Sequence, residues 1–268
     1  MVPPMPGAQR GGDASSGALL WRLTRAAMSR SVEGIMPKAA IIMGVLTSLG
    51  MLALAIASAR RGGEVERIAP LAAGLLAWGA GVLLCFAASM RAFDRDREDG
   101  WGALLARHGA RRSAYLLSRI AGLLLVTLEV VVPGTVIAGV AAALASHEAR
   151  AAILALEGTL AGTAYAVAFA LVVAPIAMAT LAPRSRASGY VFLLSVLVLP
   201  ALVAHWTGQL VPEEWSDLVS VPSALDALRD SFIGAIDPLR AVRAFAVLAA
   251  VAMGASFWAG AQLHLRRS

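Results

Sequence analysis

The chain has 268 residues, 59% of them hydrophobic and 15% charged, with a mean hydropathy of +0.73. Soluble domains carry roughly a quarter charged residues, so this composition excludes an ordinary water-soluble fold. The formal charge is +6, yet the cations punctuate apolar runs instead of forming a stripe, which sets nucleic-acid binding aside and reads as membrane topology.

The first residues are rich in Pro, Gly and Ser and lack the apolar core of a signal peptide, so 1–18 is expected to be a disordered tail. One membrane domain then fills 19–268. Its first element, Leu19 to Arg30, sets Leu20, Leu23, Ala27 and Met28 on one face and Arg22, Arg25 and Arg30 on the other, the pattern of an interfacial amphipathic helix.

Six windows are long enough to span a bilayer: 39–59, 68–90, 120–146, 158–182, 187–209 and 244–265. A span needs about 20 apolar residues as a helix. Backbone in hydrocarbon must satisfy its own hydrogen bonds, and the runs lack the period-two alternation of barrel strands, so helices are the consistent choice. Sixteen of the 23 Lys and Arg residues fall on the side that holds both termini and the second connection, which makes that side cytoplasmic. The expected fold is an all-α polytopic membrane protein with six transmembrane helices.

The connection from Arg91 to Arg119 is the one dense charge cluster. Asp94 with Arg97, and Arg95 with Asp99, have helical pair spacing, so the second span is expected to continue as a solvated, self-paired helix that Gly100 and Gly102 interrupt. Beyond the break, Trp101, Leu104 and Leu105 share one side of a short cytosolic helix, and apolar side chains so placed need a partner surface or the membrane interface. Further on, 211–243 has Leu225, Leu228, Phe232 and Ile236 at helical spacing, predicting short amphipathic helices at the outer surface before the last span.

Isolated polar groups offer little chemistry. Glu129 lies within the third span, where a charge is costly, and is read either as a substrate or proton site or as a group bonded to a neighbouring helix near Thr127 or Thr135. Pro133 and Pro175 fall inside spans. His108, His147, His205 and His264 are scattered without ligand spacing, and Cys85 is single, so neither a metal nor another cofactor is expected. The sole lysine, Lys38, is in no phosphate-binding loop, so the chain is not expected to be an ATPase or another enzyme.

The run Asp96-Arg97-Glu98-Asp99-Gly100, the pair Leu104-Leu105 and the basic Arg111, Arg112 and Arg119 lie between the second and third of six spans. In this the sequence resembles the ABC-2 family of transporter permeases. Two fragments, Arg67-Ile68-Ala69-Pro70 and LLSVLVLPAL at 193–202, are similar to the haem-exporter permease of cytochrome c maturation, a relative of that family. The resemblance implies the permease subunit of an ATP-binding-cassette exporter in a bacterial inner membrane, paired as homodimer or heterodimer and driven by a separate ATP-hydrolysing subunit. Trp101, Leu104 and Leu105 would then anchor a coupling helix on that subunit, with Arg97, Glu98 and Asp99 setting the electrostatic fit around Gly100. An ion-gradient carrier using Glu129 is the competing reading.

Overall fold

The computed structural model of the protein describes residues 16–101, 112–182, 186–207, 215, 218–232 and 238–265. Among these residues there are helices and no strands. The helices are α1 Ser16–Ser31, α2 Ile35–Arg60, α3 Ile68–Leu76, α4 Val82–Ser89, α5 Ala92–Glu98, α6 Arg112–Ala145, α7 Ala149–Leu181, α8 Arg186–Thr207, α9 Val221–Ser231 and α10 Pro238–Leu265. The first begins at Ser16, so residues 16–18 belong to a helix and not to the expected tail.

Five helical stretches are long and apolar enough to cross a membrane: Ile35–Arg60, Val65–Glu98, Arg112–Ala145, Ala149–Leu181 and Pro238–Gln262. The expected span at 187–209 folds as α8, a 22-residue helix outside those five. Large apolar side chains coat the exterior, among them Ile42 and Leu46 on α2, Ile137 and Leu144 on α6, and Phe245 and Phe257 on α10. In water that surface would be untenable; in a bilayer it is the solvated one.

The bundle is organised around α7. Its apolar window is 78% buried, against 22% for α2 and 17% for α10, so α7 is the axis and the other two are the wall. The sequence gives α7 small residues where neighbours cross. A methyl at Gly158 would lie 2.0 Å from the Glu66 carbonyl oxygen, and one at Gly162 would lie 2.8 Å from the Ala69 carbonyl group. Missing Cβ atoms therefore let α7 touch the backbone at the entry of α3. Close backbone approach is how helices gain contact energy in lipid, where apolar burial itself contributes little.

Between α3 and α4 the helix widens into a π-helical turn at Ala77–Gly81. Trp78 sits on it, and its indole N–H donates to the Tyr165 hydroxyl of α7 at 2.7 Å. The indole also stacks edge-on against Phe169, ring centroids 5.4 Å apart. These contacts bind the second span to the axis.

An amphipathic helix before the last apolar stretch forms as α9, capped by Ser220, whose hydroxyl accepts from the Ser223 amide at 3.1 Å. It is packed into the bundle more deeply than a surface helix. Leu225 and Leu228 are buried, and the Arg229 guanidinium lies 5.9 Å from the ring of Tyr165, halfway along α7. Burial lifts the Asp226 carboxyl above its ordinary pKa, opposed by Arg229 and reinforced by Asp230. Phe232 stays half-exposed, and Ile236 lies outside the described residues.

The glycine contacts give a paired test. Gly162→Ala should cost about 1–3 kcal/mol through overpacking. Gly254→Ala, where a methyl meets nothing within 4 Å, should leave stability unchanged or raise it by up to about 1 kcal/mol. Thermal unfolding of both variants in one detergent checks this; equal effects would refute the close-packing account.

Candidate functional site

The densest polar cluster of the structure forms where the second span ends. At Arg91 the backbone turns left-handed, φ 54°, and its amide donates to the carbonyl of Leu181, the last residue of α7, at 3.1 Å. The charged run is thus not a smooth continuation of the span. It restarts as α5, with Ala92, Phe93 and Asp96 on a buried face.

Asp96 is 3% exposed, and four donors converge on its carboxylate. Arg30 of α1 donates at 2.8 Å and the Arg119 Nε of α6 at 2.7 Å; a second Arg119 nitrogen and the Tyr115 hydroxyl complete the set. Arg30 also reaches Asp99 at 2.8 Å and stands 5.0 Å over the Trp101 ring. Two guanidiniums therefore face two carboxylates, and the group is electrically balanced. Phe93 packs against Tyr115, centroids 6.3 Å apart, sealing one side.

The expected self-paired helix gives way to this arrangement. Arg95 does not pair with Asp99; it turns back to the carbonyl oxygens of Ala88 and Met90 at 3.1 and 2.8 Å, capping the preceding helix end. Asp99 pairs with Arg30 on another element, and Asp96 is buried rather than solvated. The reason is charge-assisted bonding across elements: bidentate Arg to carboxylate inside a packed site outweighs exposed i,i+4 pairs, each of which contributes about 0.3–0.5 kcal/mol.

The sequence-predicted site residues divide accordingly. Arg97 is exposed and makes no ion pair among the described residues, while Glu98 is exposed with Arg91 at 3.5 Å. Gly100 has φ +73° and ends the helical run, as its lack of a side chain permits. Trp101 is partly buried under Arg30. Leu104 and Leu105 lie outside the described residues. Glu129 is remote from this group: it is exposed on the outer face of α6 and makes no ion pair among the described residues. Thr127 and Thr135 do not serve it, because their hydroxyls donate to the Leu123 and Val131 carbonyls of their own helix.

Sequence reasoning passed over the centre of the cluster. In the sequence Asp96 and Arg119 stand out as members of the charged run and its downstream basic residues, and Arg30 lies on the charged face of α1. One signal was available: Asp96 follows Ala92 and Phe93 at helical spacing, which puts a carboxylate on the apolar side of α5.

Among the described residues no group of His, Cys, Asp and Glu could hold a metal ion. Neither a protein-family profile nor a curated protein sequence matches the chain.

What the cluster can do is mechanical. It joins α1, α5 and α6 through one carboxylate, so a displacement of α5 is transmitted to a span and to the helix at its side. Asp96→Ala would leave the buried Arg119 guanidinium uncompensated and Arg30 with Asp99 alone, and should cost about 3–5 kcal/mol, whereas Asp99→Ala, at a half-exposed pair, should cost less than about 1 kcal/mol. Unfolding midpoints of the two variants measure the difference. Equal losses would show that the buried carboxylate is not the anchor.

Proposed function

We propose that the protein is the membrane-spanning permease subunit of an ATP-driven exporter of ABC-2 type, with six spans, cytoplasmic termini and a separate ATP-hydrolysing subunit. The observation that carries this reading is the Asp96 lock. A segment meant to receive force from a soluble partner must be rigidly tied to the spans it moves, yet keep a free face for contact. Asp96 supplies the tie to α1 and α6, while Arg97 and Glu98 on the opposite side of α5 point away from the bundle.

The sequence resemblance supports the same assignment at the same residues. Arg97, Glu98 and the Trp101 region, continuing into Leu104 and Leu105, would form the contact with the ATP-hydrolysing subunit, the apolar side chains as anchors and the charges as orientation. The basic end of the bundle is the cytoplasmic one in this reading, by the excess of Arg and Lys there. A haem-exporter type of cargo rests on the two short similar fragments. The exposure of Glu129 on the outside of α6 weighs against a gradient-driven carrier, whose ionisable groups face the bundle interior or a wet cavity.

The test is charge reversal on the free face. In the purified complex, Arg97→Glu with Glu98→Arg should lower ATP hydrolysis at least about tenfold, a loss of about 1.4 kcal/mol in coupling or binding. Asp226→Asn, on α9 and paired with Arg229 beside Tyr165 halfway along α7, should leave partner binding intact. Normal ATPase activity in the first variant would remove α5 from the contact.

A further inference from the structure

Helix α1 presents two faces of different chemistry. Leu23, Thr24, Ala27 and Ser31 are buried, and Ala27 meets α6 at Gly122, where an added methyl would lie 2.7 Å from its side chain. Gly122 is three residues beyond Arg119, about 4.5 Å along the helix. The run of α6 that is charge-free apart from Glu129 starts at Ile120. Helix α1 therefore rides on the bundle at the level where α6 passes from its charged end into its apolar length.

The opposite face of α1 carries Trp21, Arg22, Arg25 and Ser29, all exposed, with Trp21 60% accessible. Just past the turn, α2 begins with Ile35 and Met36, 86% and 56% exposed, and Lys38, also exposed. Arg22, Arg25 and Lys38 make no ion pair among the described residues, in contrast to Arg30 at the same level, which is committed to Asp96 and Asp99. Glu33 is the exposed acid at the junction, so the face retains a net positive charge.

From this we infer that the outer face of α1 and the start of α2 form a binding site for anionic phospholipid headgroups. Three features fit this occupant. The level is that of headgroups, where an amphipathic helix lies with its apolar residues at the acyl boundary. Guanidiniums match the phosphodiester geometry with paired donors. An indole beside exposed Ile and Met belongs at the same depth, polar edge outward and ring in the acyl region. An acidic protein surface would match the cations but not the apolar side chains at that border. The site would hold α1, and with it Arg30, against α6, so a lipid ligand supports one of the two cations of the Asp96 lock. This follows from the fold and the membrane setting and does not depend on the ATPase partner.

Quenching by brominated lipids reads the site directly. The full-length protein is reconstituted in mixtures of phosphatidylcholine and phosphatidylglycerol with one species brominated, and the Trp21 signal is taken as wild type minus Trp21→Phe. Brominated phosphatidylglycerol should quench that signal with at least about fivefold preference over phosphatidylcholine, since each basic residue near an anionic surface adds about that factor. The preference should decline with added salt. Combined Arg22→Gln, Arg25→Gln and Lys38→Gln should bring it close to unity, while Arg60→Gln with Arg61→Gln at the other end of α2 leaves it intact. Equal quenching by the two lipids in the wild type would overturn the inference, with no variant needed. Trp21 inaccessible to both lipids would also overturn it and identify a protein as the occupant.

Discussion

One buried carboxylate organises the charged end of this protein. Asp96 receives Arg30 from the first helix and Arg119 from the third apolar stretch, with the Tyr115 hydroxyl as a further donor. A lone charge in that position would cost several kcal/mol, and so would the buried Arg119 guanidinium without it. The three elements are bound into one unit because none of the charges can be satisfied alone. Replacing such a group by apolar residues is often neutral for stability, so its value lies in fixing which surfaces meet.

The apolar body follows a different rule. Contacts among its helices come from missing side chains more than from large ones: Gly158 and Gly162 bring α7 onto the backbone at the start of α3, and Gly122 does the same for α6 and α1. The π-helical turn with Trp78 and Tyr165 adds a polar tie inside the bundle, and α9 closes over it with Arg229. The bundle thus has a firm lock at one end and closely packed helices along its length, a combination suited to rigid-body movement.

Helix type and the membrane-length stretches were legible from apolar windows, because twenty apolar residues in lipid leave the backbone little choice. The expected windows at 39–59, 68–90 and 244–265 fall inside the helical stretches Ile35–Arg60, Val65–Glu98 and Pro238–Leu265. The pairing of charges was not legible. Spacing favoured Arg95 with Asp99, but three-dimensional neighbours decide such matters, and Arg30 arrives from 66 residues away. Nor could the sequence reveal that Glu129 faces outward, since α6 is rich in Leu and Val on every side and its rotation follows from close contacts such as Gly134 with Ser48 and Gly139 with Thr159. The depth of α9 was missed for a related reason: its apolar stripe indicates a buried face without saying how far into the bundle that face descends.

The central claim, that this chain works with a separate ATP-hydrolysing subunit held at the segment following α5, is tested most directly by composition. Mass spectrometry of the tagged protein, purified in mild detergent from its native host, should find a stoichiometric partner carrying a phosphate-binding loop with Lys and Ser or Thr, lost on Trp101→Ala. A homogeneous preparation without such a partner, stable and correctly folded, would contradict the claim.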